Sequence, residues 1–191
     1  GGPTSQTTSS NLPLRGSKGQ LLEGGIRVPF IIQWKGRLPA GKVDDRPVIQ
    51  LDVLPTAMAA AGLAVSPDWK LDGVNLLPFL NGEKAGPPHD TLYWRIQNQH
   101  AIRRGDWKLV QTRADLKPQL YNLAVDIRES ADLADKEPAR LKELGDAWAA
   151  WNAQLSDPLW RRQNAQAQGR GGRAGQQPAR GAGVSLEARF K

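Results

Sequence analysis

A chain of 191 residues has room for one ordinary domain or for part of a larger one, and 39% hydrophobic with 24% charged residues is a globular balance. No apolar run approaches the ~20 residues that span a bilayer, and the lack of cysteine excludes disulfides and thiolate metal sites. The net charge of +7 points to nucleic acid only until it is located: Arg161, Arg162, Arg170, Arg173, Arg180, Arg189 and Lys191 stand against Glu187 in residues 161–191, a balance of +6 that leaves +1 for residues 1–160.

Gly1, Gly2 and Pro3 open a Gly/Pro/Ser/Thr loop with no initiator Met and no leader pattern, which reads as a fragment of a longer protein. Residues 1–27 read as loop. Within them Lys18 stands between Gly16 and Gly19, with Gly24 and Gly25 close behind. Glycines let a backbone turn sharply and approach a ligand. A lysine held there offers a compact charge with three donors, suited to an oxyanion. Taken alone, such a lysine is simply solvated.

Val28 to Trp34 is a near-continuous apolar run, which predicts a strand buried on both faces of a sheet, with Pro29 tolerated at its start. Gly36 to Arg46 is a loop. A short helix follows, with Asp52 as N-cap, Pro55 in the first turn, Leu54, Met58 and Ala61 on one face and Gly62 as the stop. A second helical turn, Leu76 to Leu80, ends at Asn81-Gly82, and residues 83–90 read as a linker that includes His89.

From Thr91 the pattern has period two: Leu92, Trp94 and Ile96 alternate with Tyr93, Arg95 and Gln97. His100–Arg104, Trp107–Thr112 and about Gln119–Leu123 complete an antiparallel meander turned at Gly105-Asp106 and entered again at Pro118. Pro138 opens the last element, where Leu141, Leu144, Trp148, Trp151 and Leu155 recur at 3, 4, 3 and 4 and so form one helical stripe. That stripe requires a sheet to lie on. Beyond Asp157-Pro158, Gln/Ala/Gly/Arg repeats without apolar periodicity predict disorder.

Five segments, in order over about residues 1–155, resemble the type I sulfatases. Gly16-Ser17-Lys18-Gly19 through Glu23-Gly24-Gly25-Ile26-Arg27-Val28-Pro29 resembles the family's lysine loop. Asp52-Val53-Leu54-Pro55-Thr56 is similar to its Asp-x-x-Pro-Thr helix, and Asp72-Gly73 through Leu80 to its Asp-Gly-x-x-Leu-x-Pro-x-Leu segment. Arg104-Gly105-Asp106-Trp107-Lys108 resembles its Arg-x-Gly-x-Trp-Lys hairpin, and Leu120-Tyr121-Asn122-Leu123 with Asp126 and Glu129 its final motif. Ile127-Arg128 departs from the usual Pro and Gly, which bears on a turn.

The resemblance implies an α/β, alkaline-phosphatase-like fold. Residues 1–85 would end the large domain. Residues 86–158 would form a small C-terminal subdomain, a four-stranded antiparallel sheet covered by one helix, and 159–191 a disordered basic tail. It further implies hydrolysis of a sulfate ester with a calcium ion and formylglycine, both dependent on residues outside this chain, since no Cys is present and no Ser has the family's Cys/Ser-x-Pro-x-Arg context. The chain alone is then expected to be inactive. Lys18 is the implied catalytic residue and His100 a substrate-binding candidate. The chain's own residues provide no metal ligands in this reading.

The implied partner is a sulfated small molecule or carbohydrate, with no membrane segment and no role for nucleic acid, and a periplasmic or secreted location follows from the family alone. The alternatives are a related phosphatase or phosphodiesterase of the superfamily and a non-catalytic module binding polyanions through its basic tail. Other candidates have plainer readings: Glu23 with Arg27 as a structural tether, Asp44-Asp45 as a solvated loop, His100 as a strand opener, and Trp94 and Trp107 as core. The Arg-Gly elements between Gln163 and Gly183 lack interleaved aromatics and read as a solvated extension.

Overall fold

Among the described residues four strands form where alternation placed them: β1 Thr91–Ile96, β2 Gln99–Arg104, β3 Trp107–Gln111 and β4 Gln119–Asn122, a single antiparallel sheet in chain order. The computed structural model describes Thr7 and residues 9–156; the basic tail and Gly1–Pro3 lie outside the described residues. Two-residue turns, Gln97–Asn98 and Gly105–Asp106, join the first three strands.

Register assigns the two faces. Tyr93, Ile102, Leu109 and Leu120 align across the sheet, as do Trp94, Ala101, Val110 and Gln119 one residue over. The first row meets the helix Pro138–Asn152, whose Leu141, Leu144 and Trp148 pack on Ile102, Leu109 and Leu120. Trp151 continues the stripe by stacking on Tyr93, with centroids 4.8 Å apart. Leu155 falls after the last helical residue and is exposed.

The second row is covered too. Leu21, Leu22 and Ile26 pack with Ala101, Val110, Tyr121 and Leu123, so the glycine-rich loop roofs the face opposite the helix. The expectation of one covering helix described half of the arrangement. Cover on both faces explains why the adjacent residues Ala101 and Ile102, and again Leu109 and Val110, are all buried.

Two expectations are corrected. Val28–Trp34 is neither strand nor helix, and its apolar side chains face out, Ile31 at 90% exposure. A strand needs a neighbour to take its backbone hydrogen bonds, and no described strand runs beside this segment. Likewise, Asp52 precedes the helix Val53–Ala60 but makes no side-chain cap. Its fully buried carboxylate instead accepts from Ile49 N at 2.9 Å and Val74 N at 2.8 Å, and meets His89 Nε2 at 2.8 Å. Thr56 adds a bond from Leu76 N at 3.0 Å. His89, within the 83–90 segment, is thus a partly buried partner of Asp52.

Candidate functional site

The loop that carries Lys18 is built from backbone hydrogen bonds. Gln20 N donates to Ser17 O at 3.0 Å, closing a four-residue turn with Lys18 and Gly19 at its centre. Gly19 has φ +87, as the third position of a type II turn requires, and this is where glycine is needed for its conformation. Gly25 is needed for space: a Cβ there would lie 2.0 Å from Gln20 O. Gln20 turns its side chain back to accept from Ser17 N at 2.9 Å, and Gly24 N closes the loop onto Arg15 O at 2.7 Å.

Lys18 thus stands at the apex of a tied turn. It is exposed, and no described residue gives it a hydrogen bond or ion pair. Gln99 Nε2, at the start of β2, donates to Gly19 O at 3.0 Å and docks the turn on the end of the sheet. Gln99 also lines an open hollow of about 470 Å³ with Gln97, Asn98 and residues 112–115. Arg113 in that hollow is held by Asp115, at 2.9 Å and 2.6 Å.

His100 follows Gln99 but points to the opposite face, where its ring stacks on Trp148 with centroids 4.1 Å apart. Burial holds its imidazole below the usual range. Lys18 and His100 are therefore placed at one end of the sheet but not on one face. Arg95, Arg103 and Arg104, the arginines of β1 and β2, are also divided between the two faces. Arg95 donates to Asn152 Oδ1 and Ser156 O, and Arg104 pairs with Glu143, all on the helix side. Arg103 stands on the loop side, half-buried, with its guanidinium disfavoured by that burial.

Beneath the loop lies a cluster that pattern reading did not assemble. Lys108 Nζ, from β3, donates to Glu23 Oε1 at 2.7 Å and contacts Glu129 Oε1 at 2.8 Å. The second contact is an ion pair without an aligned hydrogen bond. Glu129 Oε2 accepts from Glu23 N at 2.7 Å. Burial pushes the Glu129 carboxyl up, against the pull of Lys108. Arg27, the expected partner of Glu23, lies 3.9 Å away and is the weaker contact. The signal in the sequence was each residue's membership of a different motif, with nothing to pair them.

Elsewhere, Arg46 grips Asp44 through its side chain and holds that carboxyl down at about 2, so Asp44 is an arginine's partner. Trp94 and Trp107 are partly buried and pack on the two core clusters, as their strand positions predict. Among the described residues no group of three or more His, Cys, Asp or Glu could hold a metal ion. No helix among them is long and apolar enough to cross a membrane. The described residues thus fit no calcium ion, and with no Cys in the chain there is no source of a cysteine-derived formylglycine.

Residues 17–144 match the family model described as N-sulphoglucosamine sulphohydrolase, C-terminal. The uncharacterized sulfatase YdeN of Escherichia coli K12 is 30% identical over 175 residues, covering 70% of this chain and 31% of that protein. Human arylsulfatase D is 38% identical over 104 residues, covering 51% of this chain and 18% of its own length. The crystal structure of Ps i-CgsB in complex with k-i-k-neocarrahexaose superposes with a TM-score of 0.72 at 30% identity, over 83% of this chain and 36% of that one. The chain therefore spans about a third or less of the proteins it matches.

Proposed function

Since the chain belongs to the sulfatase family and matches its C-terminal region, we propose that it supplies Lys18 to the sulfate group in a full-length enzyme that hydrolyses sulfate esters. Hydrolysis breaks the ester's bond to sulfur and releases sulfate and an alcohol. Negative charge gathers on the sulfate and leaving oxygens as that bond breaks, and fixed donors aimed at those oxygens lower the barrier. The observation that carries the reading is the state of Lys18: exposed, unpartnered among the described residues, and held at the apex of a tied turn. An ammonium so placed is free to meet an anion, and the tied turn leaves only the side chain to be ordered when it does so.

Calcium and formylglycine belong, in this reading, to residues outside these 191. His100, at the same strand end as Gln99, is the second substrate-side candidate through the part of its ring that stays half-exposed. The likeness to a structure solved with a carrahexaose supports a sulfated carbohydrate as the substrate class to assay beside aryl sulfates.

The test is Lys18→Ala in the full-length protein. Loss of one oxyanion donor costs ~10²–10³ in turnover, and the thermal midpoint should hold because the side chain is exposed. Unchanged turnover of aryl and carbohydrate sulfates would remove Lys18 from the reaction.

A further inference from the structure

The Glu23–Lys108–Glu129 cluster is wholly buried, at 3%, 0% and 0% exposure, and sets two carboxyl groups around one ammonium. Such a cluster is a poor stabiliser. Desolvation offsets most of the attraction, and apolar side chains of the same volume commonly hold a core as well or better. What ionic contacts supply and apolar ones do not is direction.

Here the direction is toward the Lys18 loop. Glu129 grips both of its ends: its carboxylate takes the Glu23 N–H at 2.7 Å, and its backbone oxygen takes the Arg15 guanidinium at 2.9 Å. Arg15 also reaches Tyr121 Oη at 3.1 Å. Lys108 fixes the Glu23 carboxylate from below. The segment between those ends, residues 16–22, has Lys18 at its exposed apex. Glu129 itself has φ +54, a left-handed backbone that costs a side-chain-bearing residue energy and persists where the surroundings enforce it.

We propose that Lys108 and Glu129 are positioning residues for Lys18, fixing through Glu23 and Arg15 the loop that delivers its ammonium. The proposal rests on the reading of Lys18 given above. Neither residue touches substrate. Both set where the Lys18 turn stands relative to the sheet, and a displacement of about 1 Å in a catalytic group can cost ~10²-fold in rate.

A double-mutant cycle in the full-length protein tests it, with Lys18→Ala, Glu129→Ala and the pair assayed for kcat on an aryl sulfate. Glu129→Ala should lower kcat by up to ~10²-fold when Lys18 is present and cause no further loss in the Lys18→Ala protein. An equal loss in both backgrounds would mean that Glu129 acts on the fold as a whole, and would overturn the proposal. Failure of the underlying reading is separately visible, as unchanged kcat in Lys18→Ala alone. Lys108→Met keeps most of the volume but removes the ammonium that fixes the Glu23 carboxylate at 2.7 Å, and it carries the same cycle, with the same two outcomes, where Glu129→Ala does not fold.

Discussion

The His100 imidazole lies against the Trp148 indole, centroids 4.1 Å apart and planes inclined by 28°. Trp148 Nε1 reaches past it to donate to Trp94 O at 3.3 Å on β1. One indole thus joins the helix to two strands, and a titratable ring is part of the packing. Three predictions follow from this sheet and its two covers.

Acidification should destabilise the protein through His100. Burial lowers its folded pKa below the ordinary value of 6.5, so the folded state favours the neutral ring. Its contribution is complete above the unfolded value and is lost as pH falls through the folded one. The thermal midpoint should drop as pH goes from 7 toward 5, and His100→Phe, which keeps a ring against Trp148, should flatten that drop. Glu129 titrates with the opposite sign, because its raised carboxyl loses stability as pH rises, but it is common to both proteins and cancels in the comparison. Parallel pH profiles for the two proteins would show that His100 does not titrate against the fold.

Leu144 and Trp148 should differ in a way the helical stripe alone does not reveal. Leu144 is 1% exposed and packs among Ile102, Leu109 and Leu120, so Leu144→Ala should cost ~2–5 kcal/mol. Trp148 is only partly buried, and Trp148→Ala should fall at or below ~3 kcal/mol, the low end for aromatic truncation. Denaturant midpoints measure both. A Trp148 loss clearly above the Leu144 loss would mean that the indole is more enclosed than its exposure indicates.

The glycine loop should separate strain from collision. Gly19→Ala meets open space but must adopt φ +87, a cost of ~1–2 kcal/mol for a residue with a Cβ. Gly25→Ala places a methyl 2.0 Å from Gln20 O and 2.6 Å from Ser17 O, both backbone atoms, so the loop has to open. Gly25→Ala should therefore lower the thermal midpoint more than Gly19→Ala does, and both should lower turnover in the full-length protein. Equal midpoints would contradict the tight closure of residues 17–25.

Much of the small sheet was legible in the residues themselves. Period two over Leu92–Ile96, the Gly105-Asp106 turn and the 3–4 spacing from Leu141 to Trp151 each record burial on a local scale, and the strands and helix form there. Lys18 could be singled out because its glycines are written next to it. The same local signal misled at Val28–Trp34, where an apolar run states that a surface wants cover without stating which chain segment provides hydrogen bonds.

Hydrophobic periodicity and turn chemistry act between residues a few positions apart, so the four strands of the small sheet and its helix could be read from the residues, while Val28–Trp34 could not. Tertiary structure alone decided what covers the second face of the sheet and which polar groups meet. Lys108 finds Glu23 across 85 positions, Glu129 finds the Glu23 amide across 106, and His89 finds Asp52 across 37. A buried charge must have a partner, so each residue announces a need. Which partner answers depends on how the loop and the sheet close on one another in space, and no spacing along the chain encodes that.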